Sequence, residues 1–384
     1  MRTTSIILFL IACTAHLSAG GFSERKISDS KSYEGPKTAI PPANEDDELL
    51  FNNELLKKIM QERKAASFIL GKSAKDQNIE AWFFPGTSDK KALVIGGVHG
   101  SELSSIEVAQ VLIQNLFQKE KMFYNVIIIP SLFPDNAQSA KEKNTKIGST
   151  ANIGRYSFPS AADPNRQMPT PGEPFYEGSG TDHLGRAIEK ENKLLLQLIA
   201  IYKPERIASI HAIRDMTHAG IFADPRTDSD GCALGFESDS LLAIEMSGLI
   251  RNNNGYVPGN SLDKHPTALY YLDPEPAAKG EFQKRNFSGS SLPANRGSGI
   301  SLGTWASTAI TSATDPSYNR DAIRILTIEF PGYKRSLDYK SSKLRKYFRL
   351  QTELYAAAIE KIFLEEFYTE ENENSLEPNV VSLQ

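Results

Sequence analysis

His99 and Glu102 stand three residues apart in Ala92–Glu102, ALVIGGVHGSE. An imidazole and a carboxylate at that spacing form a ligand pair for Zn2+, which at a catalytic centre takes three protein ligands and a water. Ala92-Leu93-Val94-Ile95 reads as a strand buried on both faces, and Gly96, Gly97 and Gly100 permit a tight turn after it. Ser101 is placed to cap a helix continued by Leu103, Ile106, Gln110 and Val111. Ile207-Ala208-Ser209-Ile210-His211 is a second short apolar stretch that ends in a histidine. At the carboxyl end of a neighbouring parallel strand, His211 would complete a His, Glu, His set for one zinc ion. Glu329 interrupts a further apolar run, Ile323–Phe330, where a carboxylate is costly to bury unless it is paired or used. Arg166 lies in a long loop and carries a planar fork suited to a carboxylate.

The elements that must hold these side chains can be read in chain order. Apolar residues from Leu49 to Met60 predict a helix, and Phe68–Leu70 with Ile79–Phe84 predict a leading hairpin. Asn125–Ile129 is a second buried strand, so strand, helix and strand form a parallel unit whose ligands bind beyond the carboxyl ends. Residues 131–185 read as a long irregular excursion, of the kind that is usually functional or disordered. Helices are expected over Leu184–Tyr202, over Leu241–Asn252 and from Ser341 onward, the last covering the sheet; residues 253–320 are turn-rich. The expected fold class is α/β, a mixed, largely parallel twisted sheet with helices on both faces, in a single catalytic domain over 49–369.

Forty-three basic against 47 acidic side chains give a net charge of −4 in 384 residues, and the basic ones form no dense run. That balance gives no reason to expect a nucleic-acid partner. Arg2 followed by Ile6–Ala12 reads as a secretory signal over 1–19, too short to span a bilayer, so the mature chain has no transmembrane span. Leu10-Ile11-Ala12-Cys13 resembles a bacterial lipobox and would give a lipid anchor at Cys13. Cleavage after Ala19 would instead release a soluble protein, with Leu17 a poor small-residue match. The chain is thus expected to be exported, as a periplasmic or outer-membrane lipoprotein or a secreted protein. Residues 20–48 read as a flexible tether ending in the acid cluster Glu45–Glu48, and 370–384 as a disordered acidic tail. Cys232 is the one other cysteine and reads as an incidental thiol, so no internal disulfide is expected.

In this order, and from about residue 92 to about 331, these stretches resemble the zinc carboxypeptidase family of metallopeptidases. More narrowly, they are similar to its bacterial branch with murein tripeptide amidase and the cell-shape carboxypeptidases. The resemblance implies the zinc ligands His99, Glu102 and His211, with Glu329 as general acid/base. Pro130-x-x-x-Pro134-Asp135-Asn136 resembles the family's Pro-x-x-Asn-Pro-Asp-Gly turn. Asp163-Pro164-Asn165-Arg166-Gln167-Met168-Pro169 resembles Asp-x-Asn-Arg-Asn-x-Pro, which implies that Asn165 and Arg166 bind a substrate's terminal carboxylate.

The implied activity is hydrolysis of an amide bond near the free C-terminus of a short peptide; for an exported bacterial enzyme, that substrate is a cell-wall stem peptide. Two departures qualify the match. Where the family has an oxyanion-stabilising arginine, Lys141–Lys146 offers only lysines as cations and Arg155 is the nearest arginine. The family's substrate-contacting tyrosine has only Tyr270 and Tyr271 as candidates. Two other readings stand beside it, an aspartoacylase-like zinc deacylase with a similar His-Gly-x-Glu motif and a catalytically inactive peptide-binding relative.

Overall fold

A computed structural model describes residues 53–119, 121–142, 153–158, 161–176, 180–224, 226–229, 237–259 and 299–366. The signal segment, tether, Cys13, Cys232, Tyr270, Tyr271 and the acidic tail lie outside the described residues. The strands are β1 Ala66–Lys72, β2 Asn78–Phe84, β3 Lys91–Ile95, β4 Asn125–Ile129, β5 Arg206–Ile213, β6 Gly220–Ala223 and β7 Arg324–Pro331. They form one seven-stranded sheet in the order β1-β2-β4-β3-β5-β7-β6. The inner four, β4-β3-β5-β7, run parallel, and β1 and β2 on one side and β6 on the other join through antiparallel pairings.

The helices are α1 Asn53–Glu62, α2 Leu103–Gln118, α3 Pro134–Glu142, α4 Lys190–Tyr202, α5 Glu237–Asn252, α6 Leu302–Ala306 and α7 Ser342–Ala358. Side-chain alternation along the strands sorts them to the two faces. Leu93, Ile95, Ile127, Ile129 and Ile207 pack with α1, α4 and α6, while Ala92, Val94, Val126, Ile128 and Ile210 pack with α2, α5 and α7. This is the mixed α/β architecture expected from the sequence. Strands covered on both faces explain why β3 and β4 read as unbroken apolar runs rather than alternating ones. Each fully buried aliphatic side chain there contributes about 1.5–3 kcal/mol, which anchors the strand ends where the candidate chemistry lies.

The structure departs from the expected elements in several places, and the helix expected over Leu241–Asn252 begins at Glu237. The helix expected from Leu184 begins at Lys190. Asp182 Oδ1 accepts bonds from the Leu184 and Arg186 amides, holding the chain in a turn with Gly185 at φ +74°. The stretch 131–185 contains α3, with Pro134 at its first position and only small apolar residues, Ala137 and Ala140, against Leu103 and Ile106 of α2. The four-residue β6 is too short to carry a readable period. Among the described residues no helix is long and apolar enough to cross a membrane.

Candidate metal centre

β3 ends at Ile95, whose register partner on β5 is Ser209, and the loop after it carries His99 back over the strand ends. Gly97 turns that loop with φ +63°, and any Cβ on Gly100 would meet the Asn136–Ala137 backbone of α3. The expected cap at Ser101 is not formed: Glu102 is the N-cap of α2, and the buried Ser101 Oγ has no hydrogen-bond partner. Glu102 caps nothing with its carboxylate because that group is committed elsewhere. Its Oε1 lies 2.9 Å from His99 Nδ1, and its Oε2 lies 3.2 Å from His211 Nδ1. The Ala212 amide donates to Oε2 at 2.9 Å. Ligand atoms of His99, Glu102 and His211 all fall within 4.8 Å of one another, and all three residues are buried. His211 on β5 is the register partner of Glu329 on β7, so the two side chains project from the same face.

Charge in this cluster is tightly coupled. Burial opposes a charged imidazole at His99, but the Glu102 and Asp163 carboxylates outweigh it and lift the pKa to about 9. Burial likewise opposes the ionised form of Glu102, yet His99 and His211 hold it below the usual carboxylate range. Two imidazole nitrogens and a carboxylate oxygen converging on one buried point suit a divalent metal, whose charge would replace the proton on the ring. Three protein donors beside an open cavity match a catalytic rather than a closed structural site.

Asp163 is a residue whose part was not legible. Its Oδ1 lies 2.8 Å from His99 Nε2, which leaves Nδ1 directed at the Glu102 side, the arrangement that fixes a ligand's tautomer and orientation. The same carboxylate accepts the Asn165 amide at 2.9 Å and so shapes the Asn-Arg turn. Its only signal in the sequence is that it opens the Asp-x-Asn-Arg stretch. Asp163→Asn should leave the fold intact and weaken metal binding by about 10- to 100-fold in a chelator competition; unchanged affinity would remove the orienting role.

The cluster opens on a cavity of about 220 Å3 that Arg155, Asn165, Arg166, Glu329 and Tyr333 also line. Burial pushes the Glu329 carboxyl above its usual range, with His211 opposing and Glu102 adding to the effect. Among the described residues Arg166 has no acidic partner; one Nη is held by the Asn165 carbonyl at 2.7 Å. Asn165 is fixed in turn by the Leu302 amide at 3.1 Å. Arg155 is in the cavity, but forked between Glu102 (3.0 Å) and Asp163 (3.1 Å) rather than held in reserve for a developing charge. Tyr333 was missed. It follows Gly332, whose φ of +93° swings the chain back toward the cavity, and the Ser104 amide and hydroxyl pin the Tyr333 and Gly332 carbonyls.

The sequence matches no protein-family model and no curated protein. Several solved structures are similar in chain path. The murein-tripeptide amidase MpaA from Escherichia coli O157 aligns at 14% identity and TM-score 0.40, covering 79% of this chain and 94% of that one. The carboxypeptidase A from Helicoverpa armigera aligns at 14% and 0.42, covering 80% and 71%. A metallo-carboxypeptidase from Burkholderia cenocepacia aligns at 13% and 0.39, covering 80% and 66%.

Proposed function

We propose that the chain is a zinc-dependent carboxypeptidase or amidase that hydrolyses an amide bond near the free C-terminus of a short peptide. The observation that carries this reading is the placement around one cavity of a buried His, Glu, His donor set, the Glu329 carboxylate and Arg166, the last two without an ion-pair partner among the described residues. Zn2+ held by His99, Glu102 and His211 would polarise the scissile carbonyl and acidify a water. Asp163 keeps the His99 ring in register. Arg166 receives the terminal carboxylate in a charge-assisted, bidentate contact, with Asn165 beside it. Glu329 takes the proton of the attacking water and delivers it to the leaving amine. Arg155 stays engaged with Glu102 and Asp163 and orients these two carboxylates beside the donor set.

The substrate class we assign is the peptidoglycan stem peptide, because the signal-like N-terminus sends the chain out of the cytoplasm, either anchored through Cys13 or released. Incubating the purified protein with muropeptides and with ordinary dipeptides, with and without a chelator, and reading the products by mass tests this directly. Chelator-sensitive loss of a C-terminal residue from muropeptides is expected; products cut in the interior, or none from either substrate, would overturn the assignment.

Arg166→Lys tests the clamp. A point charge cannot reproduce the fork, and a lost contact of about 2 kcal/mol or more corresponds to roughly 30-fold in kcat/KM on substrates with a free carboxylate. Substrates amidated at that carboxylate should be poor for the parent and nearly indifferent to the change. Equal cleavage of both by the parent would point to an interior amidase.

A further inference from the structure

The segment between the cavity and the last helix concentrates positive charge that the linear sequence spreads out. Residues 334–349 carry seven basic side chains (Lys334, Arg335, Lys340, Lys343, Arg345, Lys346 and Arg349) against one acid, Asp338, in a chain whose net charge is −4. The acids that face this surface are already engaged, Asp338 with Arg335 at 2.7 Å, Glu353 with Arg349 at 3.1 Å and Glu107 with the Ser336 amide at 2.6 Å. Lys340, Lys343 and Lys346 have no ion-pair partner among the described residues. Every residue from Ser341 to Lys346 is exposed, and three large apolar side chains project among the cations, Leu337 at 61%, Leu344 at 44% and Leu350 at 39% exposure.

Local energetics run against this arrangement. The first turn of α7 holds no acid and Ser341 makes no side-chain cap, while Lys343, Arg345 and Lys346 sit near the end of the helix where the backbone dipole already carries positive charge. The unit is nonetheless well packed. Tyr339 stacks on the buried Phe348 with ring centroids 4.2 Å apart, and Arg345 ties down the Tyr339 and Lys340 carbonyls at 2.8 Å each. A rule of helix design broken on a well-packed surface, with no acid among the described residues paired to Lys340, Lys343 or Lys346, points to a contact with a separate partner.

We infer that this face, the exposed first turns of α7 with the 334–340 loop, docks on an anionic phospholipid surface. Charge complementarity picks the partner, and the interspersed exposed leucines pick a bilayer over a soluble polyanion. Lysine and arginine meet the headgroup phosphates while Leu337, Leu344 and Leu350 enter the interfacial layer, the pattern of a helix that lies on a membrane without crossing it. Docked so, the chain presents beside the bilayer the loop that leads to Tyr333 and the cavity.

Vesicle co-sedimentation tests this with the full chain carrying Cys13→Ser, which removes the thiol that acyl chains would use. The readout is the ratio of partition onto mixed phosphatidylglycerol–phosphatidylcholine vesicles to partition onto pure phosphatidylcholine, a ratio that an apolar N-terminal anchor alone would leave near one. The parent should favour the anionic vesicles, less so as salt rises. K343Q/K346Q should lower that preference by about 30-fold, taking ~1 kcal/mol per cation at an anionic surface. These side chains are exposed, so the thermal melt should not change. L344S/L350S should weaken the binding that survives at high salt. A parent ratio of one, a ratio indifferent to K343Q/K346Q, or binding to soluble polyphosphate in preference to vesicles would each overturn the inference.

Discussion

His99→Ala is expected to yield a folded protein without metal and without turnover. Removing one imidazole leaves two donors, Glu102 and His211, and a two-donor site no longer holds a divalent ion against water. The loss extends beyond coordination. Asp163 loses the ring nitrogen at 2.8 Å, and Glu102 loses the contact at 2.9 Å, leaving Arg155 as the cation between two buried carboxylates. Leaving buried groups short of a partner costs about 1–3 kcal/mol and more when they are charged, so the variant should also melt below the metal-stripped parent. Elemental analysis separates the two consequences: metal content reads the ligand role and the melt reads the partner role. Arg166→Lys serves as the comparison, since it should lose activity on free carboxylates while keeping its metal. Full metal occupancy in His99→Ala would sink the ligand assignment, whatever its activity.

How far the site was legible depends on which forces position each side chain. His99 and Glu102 could be read because they follow the apolar run of β3, and His211 because it lies late in the apolar run of β5; strands buried on both faces announce themselves as Leu93–Ile95 and Ile207–Ile210 do. Glu329 was visible for the same reason, as a carboxylate where the surrounding residues demand burial. The N-cap was misread because Ser101 has the better capping propensity, and tertiary contacts overrode it: the imidazoles, Arg155 and the Ala212 amide claim Glu102 and draw the start of the helix with it. Asp163 escaped since its partner is 64 residues away and no local period connects them. Tyr333 escaped because the turn that aims it depends on a positive φ at Gly332 and on Ser104 from a different element. The start of α4 was placed six residues early, where apolar Leu184 invites extension of the helix and the Asp182 side chain captures the backbone first. The basic face of α7 went unread because a cation every second or third residue is no run in sequence, and becomes a patch only on a folded surface.

Glu329→Gln is expected to keep the metal and lose about 100- to 10,000-fold in kcat, the range for removing a general base. The carboxamide has the size and shape of the carboxylate, and Glu329 makes no hydrogen bond among the described residues that the change would break. Its neighbours should therefore stay in place, including its register partner His211. What is lost is the ability to accept a proton. Burial already lifts the Glu329 carboxyl above the ordinary 4.5 of glutamate, which makes its anion a better base at neutral pH than an exposed carboxylate would be. The sign of the pH dependence follows: only the ionised form works, so parental kcat/KM should decline as pH falls through that raised value, and the remaining activity of the variant should lack that limb. Metal content equal to the parent, with turnover cut and the acid limb gone, is the signature of a base. A variant within a few-fold of the parent would move the proton transfer to another group, and Tyr333 across the same cavity would be the next side chain to replace.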